Sequence, residues 1–427
     1  MKIKKTIGII LVLCLFISAV FVPCFDVGAQ ISAQSYLDEQ MEKNDINGVV
    51  YATKNGRVVC QNARGMANTS EAKEIAIDTL FPIGSNSKQF CAVAILMLQE
   101  QDMLNIDDPV TKYFPEYTTA TDVTVKDLLT MRSGIRNHLE GLFAEYTLYE
   151  DATSEENKQT ILEWLYAQKL EFKPNTGFSY SNSNYFLLSI IVEKVSGQSY
   201  AEFIKENIFA PLGMTDSGFY EELTDHPGLA EHTGSSDMLI DPKLKGLIQG
   251  SGDLVSNAKD MDKWMTSLRE CRIISEKSIA EMTKNYSQRN GYGYGIRVQE
   301  DGGFCHDGAI VTYLSFVLTY PEDGFNIFAV TNDIGNKGNI LVNLVFETAE
   351  KYKSIEIPGG ICGDVNCDSR VNIKDATAIQ KHIAGLITLA DEGIAVADVD
   401  ASGVVNVKDA TVIQKYIAGI DTGFLLG

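Results

Sequence analysis

The chain has 427 residues, of which 45% are hydrophobic and 22% are charged, and its formal net charge is -21. A chain of this length exceeds one ordinary hydrophobic core, so we expect two or more domains. The negative charge argues against a nucleic-acid partner, because the summed field would repel a polyanion, and it is typical of a soluble protein outside the cell.

The first residues have the pattern of a secretory signal peptide. Three lysines precede an uncharged apolar run at 7–22, and Val27-Gly28-Ala29 offers a small-residue cleavage site. The run is short for a bilayer span, so we expect residues 1–29 to be cleaved and not retained as an anchor. We therefore expect a secreted protein with no transmembrane anchor after cleavage.

Strand patterns lie at both ends of the next region, with helical patterns between them. Residues 49–53 and 57–60 flank Asn55-Gly56, a strong signal for a short hairpin turn, and strand-like runs return at 311–319 and 325–330. We predict an α/β (α+β) fold in which the two ends complete one antiparallel sheet flanked by helices. The helical middle would form a second lobe, and the cleft between the lobes is a candidate ligand site.

Two segments fit the Ser-x-x-Lys pattern, Ser85–Lys88 and Ser256–Lys259. Ser256 opens an amphipathic helix, where a serine is the expected N-cap, so we interpret it as structural. Ser85 precedes residues 90–98, which are apolar on nearly every helical face and belong in the interior. Lys88 lies on the same face as Ser85, and burial disfavours its ammonium form, so Lys88 is a candidate base for a Ser85 nucleophile.

Two further triplets, Tyr180-Ser181-Asn182 and His306-Asp307-Gly308, follow in chain order. Together with the Ser85 motif they resemble the three motifs of class C β-lactamases, D-Ala-D-Ala carboxypeptidases and family VIII esterases. The resemblance covers nearly the whole region from about Ile46 to Asn332. It implies a β-lactamase/transpeptidase-like fold and hydrolysis through an acyl-enzyme.

The resemblance also implies roles for individual residues. Ser85 would be the nucleophile, Lys88 and Tyr180 would form its proton relay, and Asn182 would orient the acyl side of the substrate. The oxyanion hole would consist of the backbone N–H groups of Ser85 and Ala309. A serine nucleophile requires a nearby base and two fixed donors in any case.

Two departures from the family pattern stand out. His306 occupies the position of a lysine in class C β-lactamases, which together with Ser181 resembles the peptidase and esterase branch. Met131-Arg132 stands where relatives often carry His-Thr, and the sequence offers no interpretation of that change.

A repeat with a period of 34 residues follows a short linker, since residues 371–381 return as 405–415. Each copy places oxygen ligands at positions 1, 3, 5, 9 and 12 of a calcium loop and a backbone carbonyl at position 7. Ser369 replaces the EF-hand glycine at position 6, and Asp replaces Glu at position 12. The predicted metal ligands are Asp364, Asn366, Asp368, Arg370 (carbonyl), Asn372 and Asp375, then Asp398, Asp400, Ser402, Val404 (carbonyl), Asn406 and Asp409.

This duplicated loop and helix resembles a type I dockerin, a small all-α EF-hand-like module, from about Cys362 to Ile420. The resemblance implies two structural Ca²⁺ ions and docking onto a cohesin module of a scaffoldin, hence a cell-surface cellulosome. Ala376-Thr377 and Ala410-Thr411 lie where we expect contact with the cohesin. The predicted division of the chain is signal peptide 1–29, hydrolase 30–354, linker 355–361 and dockerin 362–427.

Three functions remain open on the sequence alone. The dockerin favours an esterase that removes acyl groups from plant cell-wall polysaccharide, and the second and third motifs favour a D-Ala-D-Ala carboxypeptidase or penicillin-binding enzyme. A catalytically silent binding module is the third, although intact Ser85, Lys88 and Tyr180 argue against it. The acyl substrate, the cohesin, a Cys362–Cys367 disulfide and the principal base (Lys88 or Tyr180) also stay open.

Overall fold

The computed structural model describes residues 27–145, 153–232, 246–287, 289–335, 337–355, 362–368, 370–390, 393–394, 396–400, 404–420 and 422. The predicted signal peptide lies outside these residues apart from its last three, which begin the first helix. Among the described helices, none has the length and apolar character needed to cross a membrane.

Helices and strands alternate irregularly along the chain. The helices are α1 (Val27–Lys43), α2 (Ser87–Glu100), α3 (Val125–Leu129), α4 (His138–Glu145), α5 (Ser154–Ala167), α6 (Asn182–Ser196), α7 (Tyr200–Ile204), α8 (Ala210–Leu212), α9 (Tyr220–Leu223), α10 (Ala258–Arg269), α11 (Glu276–Met282), α12 (Gly338–Tyr352), α13 (Ile373–Ile383) and α14 (Val407–Ile417). The strands are β1 (Gly48–Lys54), β2 (Arg57–Arg64), β3 (Met66–Asn68), β4 (Lys73–Glu74), β5 (Phe81–Pro82), β6 (Gly218–Phe219), β7 (Leu254–Ser256), β8 (Arg297–Val298), β9 (Phe304–Ile310), β10 (Tyr313–Tyr320) and β11 (Phe325–Thr331).

The main sheet has six antiparallel strands in the order β2-β1-β11-β10-β9-β8. β1 pairs with β11 from Gly48 opposite Thr331 to Lys54 opposite Phe325. An early strand therefore lies beside a late one, which confirms that the two ends of the region complete one sheet. Asn55 and Gly56 make the predicted hairpin turn at positive φ, 50° and 76°.

The two faces of this sheet carry different helices. α1 and α12 pack on one face, where Leu37 and Leu341 belong to the same buried cluster as Ile327. The larger core on the other side contains α2, which is buried on almost every face as predicted, together with α6 and α10. The helical lobe is therefore built around α2, the helix that carries Lys88.

Helix α10 joins the sheet to α2. Buried Asp262 on α10 accepts hydrogen bonds from the Thr53 hydroxyl of β1 (2.5 Å) and from the Asn326 amide of β11 (3.0 Å). On the side facing α2, Trp264 stacks on Phe90 with ring centroids 3.8 Å apart. The position of α2 relative to the sheet therefore depends on α10.

The predicted N-cap of α10 is wrong by one residue. Asn257 caps the helix, because its side chain accepts from the Asp260 N–H at 2.9 Å. Ser256 is the last residue of β7, and its hydroxyl contacts the Ser217 hydroxyl at 2.8 Å. Pairing of Ser256 with Phe81 of β5 keeps it in the strand, so its structural role stands but the cap belongs to its neighbour.

The C-terminal repeat forms its own small core. α13 and α14 begin at Asn372 and Asn406, and each N-cap makes a capping box with an aspartate three residues later, Asp375 and Asp409. A separate buried cluster of described residues includes Ile379 and Ile413 from the two helices, together with Val365, Ala376, Leu389, Val396, Ala397, Val399, Ala410 and Val412.

We expect Asp262→Ala to lower the free energy of unfolding by about 3 kcal/mol, because it leaves the buried Thr53 hydroxyl and one N–H of the Asn326 amide without an acceptor. Urea denaturation followed by far-UV circular dichroism measures this loss. The double variant Thr53→Val, Asp262→Ala should lose less than the sum of the two single variants, since one orphaned donor is then removed. Strictly additive losses would contradict the pairing.

Candidate active site

Ser85 and Lys88 lie together at the start of the buried helix. Ser85 is in a 3-10 turn, Gly84–Asn86, that leads directly into α2, and Lys88 is fully buried one turn further on. The Lys88 Nζ is 2.9 Å from the Ser85 Oγ. The structure therefore brings together the serine and the lysine that the sequence predicted as nucleophile and base.

Two other oxygens complete the surroundings of the Lys88 amine. The Nζ donates to the side-chain Oδ1 of Asn182 at 2.7 Å and to the backbone carbonyl of Ser251 at 2.6 Å. Both acceptors and the Ser85 hydroxyl are neutral. Burial lowers the Lys88 pKa to about 7, against smaller opposing effects of charges that include Asp307 and Asp253. A large fraction of Lys88 is therefore neutral near pH 7.

Tyr180 lies near the same serine, in the segment that leads into α6 and packs against the same core as α2. The Ser85 side chain is close enough to the Tyr180 hydroxyl to affect the pKa of the phenol, and the Lys88 Nζ lies 4.9 Å from the centre of its ring. Burial raises the pKa of Tyr180 above its ordinary value of 10.0, and the Ser85 side chain opposes that shift. The phenol is therefore protonated at neutral pH, when Lys88 is already partly deprotonated.

Asn182 is the first residue of α6 and is fixed by a residue that sequence reasoning missed. Its backbone N–H and its amide nitrogen both donate to the Asn137 Oδ1, at 3.2 and 3.4 Å. This arrangement turns the Asn182 Oδ1 toward Lys88. Asn137 and Ser251 carried no recognisable motif, because each contributes one oxygen that only the tertiary structure brings to the site.

His306 lies in β9 and is almost fully buried, with 1% of its surface exposed. Its Nε2 is 3.2 Å from the Tyr292 hydroxyl, and its ring centre is 6.1 Å from that of Tyr180. Burial lowers the His306 pKa to about 4, so the imidazole is neutral at physiological pH. His306 therefore places no positive charge where a lysine would, and its ring nitrogens contact the Tyr292 hydroxyl and the Asp307 carbonyl.

The backbone of β9 runs unusually close to the Ser85 turn. A Cβ on Gly84 would lie 3.0 Å from the backbone nitrogen of Ala309, and a Cβ on Gly308 would lie 1.9 Å from the Ile83 carbonyl oxygen. Only glycine at these positions permits the approach. It brings Ala309 beside Ser85, where the two predicted oxyanion donors are required.

The calcium loops are described in part. In the second loop, carboxylate oxygens of Asp398, Asp400 and Asp409 lie within 4.8 Å of one another. Three carboxylates at this separation repel each other, so a hard divalent cation with a preference for oxygen fits them. Ser402 and Ser369 lie outside the described residues.

In the first loop, aspartate side chains accept hydrogen bonds from backbone N–H groups of the same loop. Asp375 accepts from the N–H groups of Asn366 (3.0 Å) and Asn372 (2.8 Å), and Asp364 accepts from the Asp368 N–H (2.9 Å). No disulfide joins Cys362 to Cys367 in this structure.

Comparison with known proteins now identifies both parts. The β-lactamase family model matches residues 33–343, and the model of the dockerin type I domain matches residues 362–418. The chain belongs to the β-lactamase family. It is a serine hydrolase of that family followed by a type I dockerin, a domain type that binds calcium.

Individual relatives are penicillin-binding proteins. Penicillin-binding protein 4* of Bacillus subtilis is 29% identical over 324 residues, which span 70% of this chain and 71% of that protein. The octameric penicillin-binding protein homologue from Pyrococcus abyssi is 28% identical with a TM-score of 0.64, over 78% of this chain and 80% of that one. FmtA from Staphylococcus aureus has the same fold, with a TM-score of 0.65 at 22% identity over 77% of this chain and 91% of that one.

We expect Gly308→Ala to slow the hydrolysis of an activated ester by about a hundredfold, because the methyl group would force β9 away from the Ser85 turn. Gly252→Ala is the matched control, since its nearest atom would be 3.7 Å away, at Gly84. Steady-state kinetics measure both variants, and circular dichroism confirms that they fold. Equal rates for the two folded variants would contradict the importance of this close approach.

Proposed function

We propose that Ser85 attacks an ester or amide carbonyl to form an acyl-enzyme, with Lys88 as the principal base. The observation that carries the proposal is the hydrogen bonding of the buried amine. A neutral amine has two N–H groups and one lone pair, and the carbonyl oxygens of Asn182 and Ser251 can only accept. They occupy both N–H groups, so the lone pair remains for the proton of the Ser85 hydroxyl.

Tyr180 would be the second member of the proton relay and would act as the general acid. Because its raised pKa keeps the phenol protonated, it can donate to the leaving group while Lys88 holds the proton taken from Ser85. The negative oxygen of the tetrahedral intermediate would be stabilised by the backbone N–H groups of Ser85 and Ala309. Asn182 and the neutral His306 would orient the acyl and leaving-group sides of the substrate.

For the substrate, we favour acyl esters of plant cell-wall polysaccharide. The dockerin supports this choice, because a domain that binds a cohesin places the hydrolase on a scaffold with other enzymes. We propose that the protein is secreted after cleavage of residues 1–29 and is held at the cell surface in a cellulosome. Two Ca²⁺ ions in the two loops would keep the dockerin folded.

The predicted contact surface for the cohesin needs a correction. Ala376 and Ala410 are fully buried in the dockerin core, because they pack between α13 and α14 and cannot meet a partner. Thr377 and Thr411 are at least partly exposed and remain candidates. We propose that the surface also includes exposed apolar residues that recur at the repeat period, namely Ile373 and Val407, Ile383 and Ile417, and Leu386 and Ile420.

A D-Ala-D-Ala carboxypeptidase or penicillin-binding activity is the second candidate. The names of the relatives support it, since the Bacillus subtilis protein is called a penicillin-binding protein. The same Ser85, Lys88 and Tyr180 would then cleave a peptide bond. Reaction with penicillin separates this candidate from the esterase.

Intact-mass spectrometry of the full chain mixed with penicillin, alongside an assay with acetylated xylan, tests the proposal. We expect ester turnover that Ser85→Ala abolishes and Ser256→Ala, the serine of the second Ser-x-x-Lys segment, preserves. A lasting penicillin adduct on Ser85 would instead establish the penicillin-binding candidate. Absence of both reactions would overturn the enzymatic proposal and leave a binding module.

The same assay has a defined pH dependence. Because Lys88 must be neutral to accept the serine proton, the acylation rate should rise with pH up to and through about 7 and then level off. Below that range the rate should fall about tenfold per pH unit. A flat profile between pH 5 and 8 would argue against Lys88 as the base.

We expect chelation of calcium to unfold the dockerin and leave the hydrolase folded. Removing the ion leaves the Asp398, Asp400 and Asp409 carboxylates in mutual repulsion, whereas the hydrolase has its own core. Far-UV circular dichroism and ester turnover, recorded with EGTA and after return of Ca²⁺, measure the two parts separately. A helical signal unchanged by EGTA would contradict the calcium requirement.

A further inference from the structure

Met131 and Arg132 follow α3 and take no part in the chemistry described above. Met131 is fully buried and has φ of 58°, in the left-handed region that residues with side chains rarely adopt. A conformation of this kind persists only where surrounding contacts enforce it, and such residues cluster at functional sites. The conformation of Met131 therefore points to a neighbouring segment that its contacts hold in place.

The contacts of Met131 lie on both sides of Tyr180. Its carbonyl oxygen accepts from the Ser179 N–H at 3.1 Å, and its Sδ accepts from the Ser181 N–H at 3.5 Å. The same sulfur accepts from the Asn184 amide at 3.2 Å. Ser181 is fully buried, so its N–H needs an acceptor inside the protein, and the thioether supplies one.

Arg132 connects the segment that precedes Tyr180 with the loop that contains Tyr286. Its guanidinium donates to the carbonyl of Asn175, which precedes Tyr180, and to the carbonyl of Tyr286 at 2.5 Å. The Tyr286 N–H in turn donates to the Tyr292 carbonyl at 3.0 Å. Tyr292 is the residue whose hydroxyl contacts His306. The Arg132 side chain thus links the Tyr180 segment with the Tyr286–Tyr292 loop, which contacts His306.

We propose that Met131 and Arg132 are positioning residues for acylation, an inference that rests on the proposed role of Ser85. Met131 fixes the backbone on either side of Tyr180, so that the phenol meets the Ser85 hydroxyl. Arg132 fixes that segment relative to Tyr292 and His306. A sulfur acceptor and a guanidinium donor thus perform the anchoring in this chain.

Met131→Leu tests the sulfur contact, because leucine is similar in size and cannot accept a hydrogen bond. Met265→Leu is the matched control at an equally buried methionine of α10. We expect Met131→Leu to lower the acylation rate constant about tenfold or more with KM nearly unchanged, and Met265→Leu to change neither. Met131→Gln, which returns an acceptor at the end of a similar chain, should recover most of the rate.

A second readout does not depend on activity. Hydrogen exchange followed by mass spectrometry should show faster exchange in peptides covering residues 178–186 for Met131→Leu than for Met265→Leu, because the Ser181 N–H loses its acceptor. Equal exchange in the two variants, or equal acylation rates in an active enzyme, would overturn the inference. If the wild type neither acylates nor turns over esters, the proposed function fails, and the exchange comparison alone decides whether Met131 anchors the segment.

Arg132→Lys tests the link between the two segments, since lysine keeps the charge but cannot reach both carbonyls in the fixed geometry of a guanidinium. The control is Arg272→Lys on the exposed surface. We expect a fall in kcat of about tenfold for Arg132→Lys and none for the control. An unchanged kcat in Arg132→Lys would remove Arg132 from the proposal.

Discussion

The site depends on an amine that is buried among neutral oxygens. Lys88 has no exposed surface, and its Nζ contacts a hydroxyl, a side-chain amide oxygen and a backbone carbonyl. Removing an ammonium from water without a carboxylate at hydrogen-bond distance is costly, and the protein avoids the cost by favouring the neutral amine. The same environment that would destabilise a charged lysine therefore leaves an amine that can accept the Ser85 proton in the proposed mechanism.

Much of the surrounding fold maintains this environment. α2 is buried on nearly every face, α10 connects it to the sheet through Asp262, and glycines at 84 and 308 allow β9 to approach the Ser85 turn. The lobe that contains α2 also contributes Tyr180 and Asn182, whose segment is anchored by Met131 and Arg132. We expect displacement of any of these elements to change proton transfer between Ser85 and the Lys88 Nζ.

The stability of the dockerin depends on different interactions from those of the hydrolase. The dockerin has a small core and its second loop brings three carboxylates together, so we expect its folding to depend on bound calcium. Its duplicated helices bury equivalent alanines against each other and leave equivalent apolar residues exposed. In this chain, a hydrolase domain that is similar to penicillin-binding proteins is followed by a dockerin type I domain.

The sequence by itself determined the pattern-based features. Spacing indicated Ser85 with Lys88, alternation and the Asn-Gly turn indicated the hairpin, and the repeat indicated two calcium loops, because each depends on residues close together in the chain. The pairing of β1 with β11 followed from where the strand patterns lie. The proximity of Ser85 and Lys88 was predictable because the two residues are one helical turn apart, and their roles as nucleophile and base stay a prediction.

Only the tertiary structure decided what depends on residues far apart in the chain. Ser251 and Asn137 each contribute one oxygen acceptor, and Met131 contributes its carbonyl oxygen and its sulfur. No sequence pattern indicated the partners of these acceptors, because the partners lie far away in the chain. Burial of Ala376 and Ala410 follows from how two helices pack, so a repeated Ala-Thr could be mistaken for a docking surface. The apolar helix indicated the lowered pKa of Lys88, whereas the lowered pKa of His306 depends on the removal of water by residues far away in the chain, which no local pattern indicates.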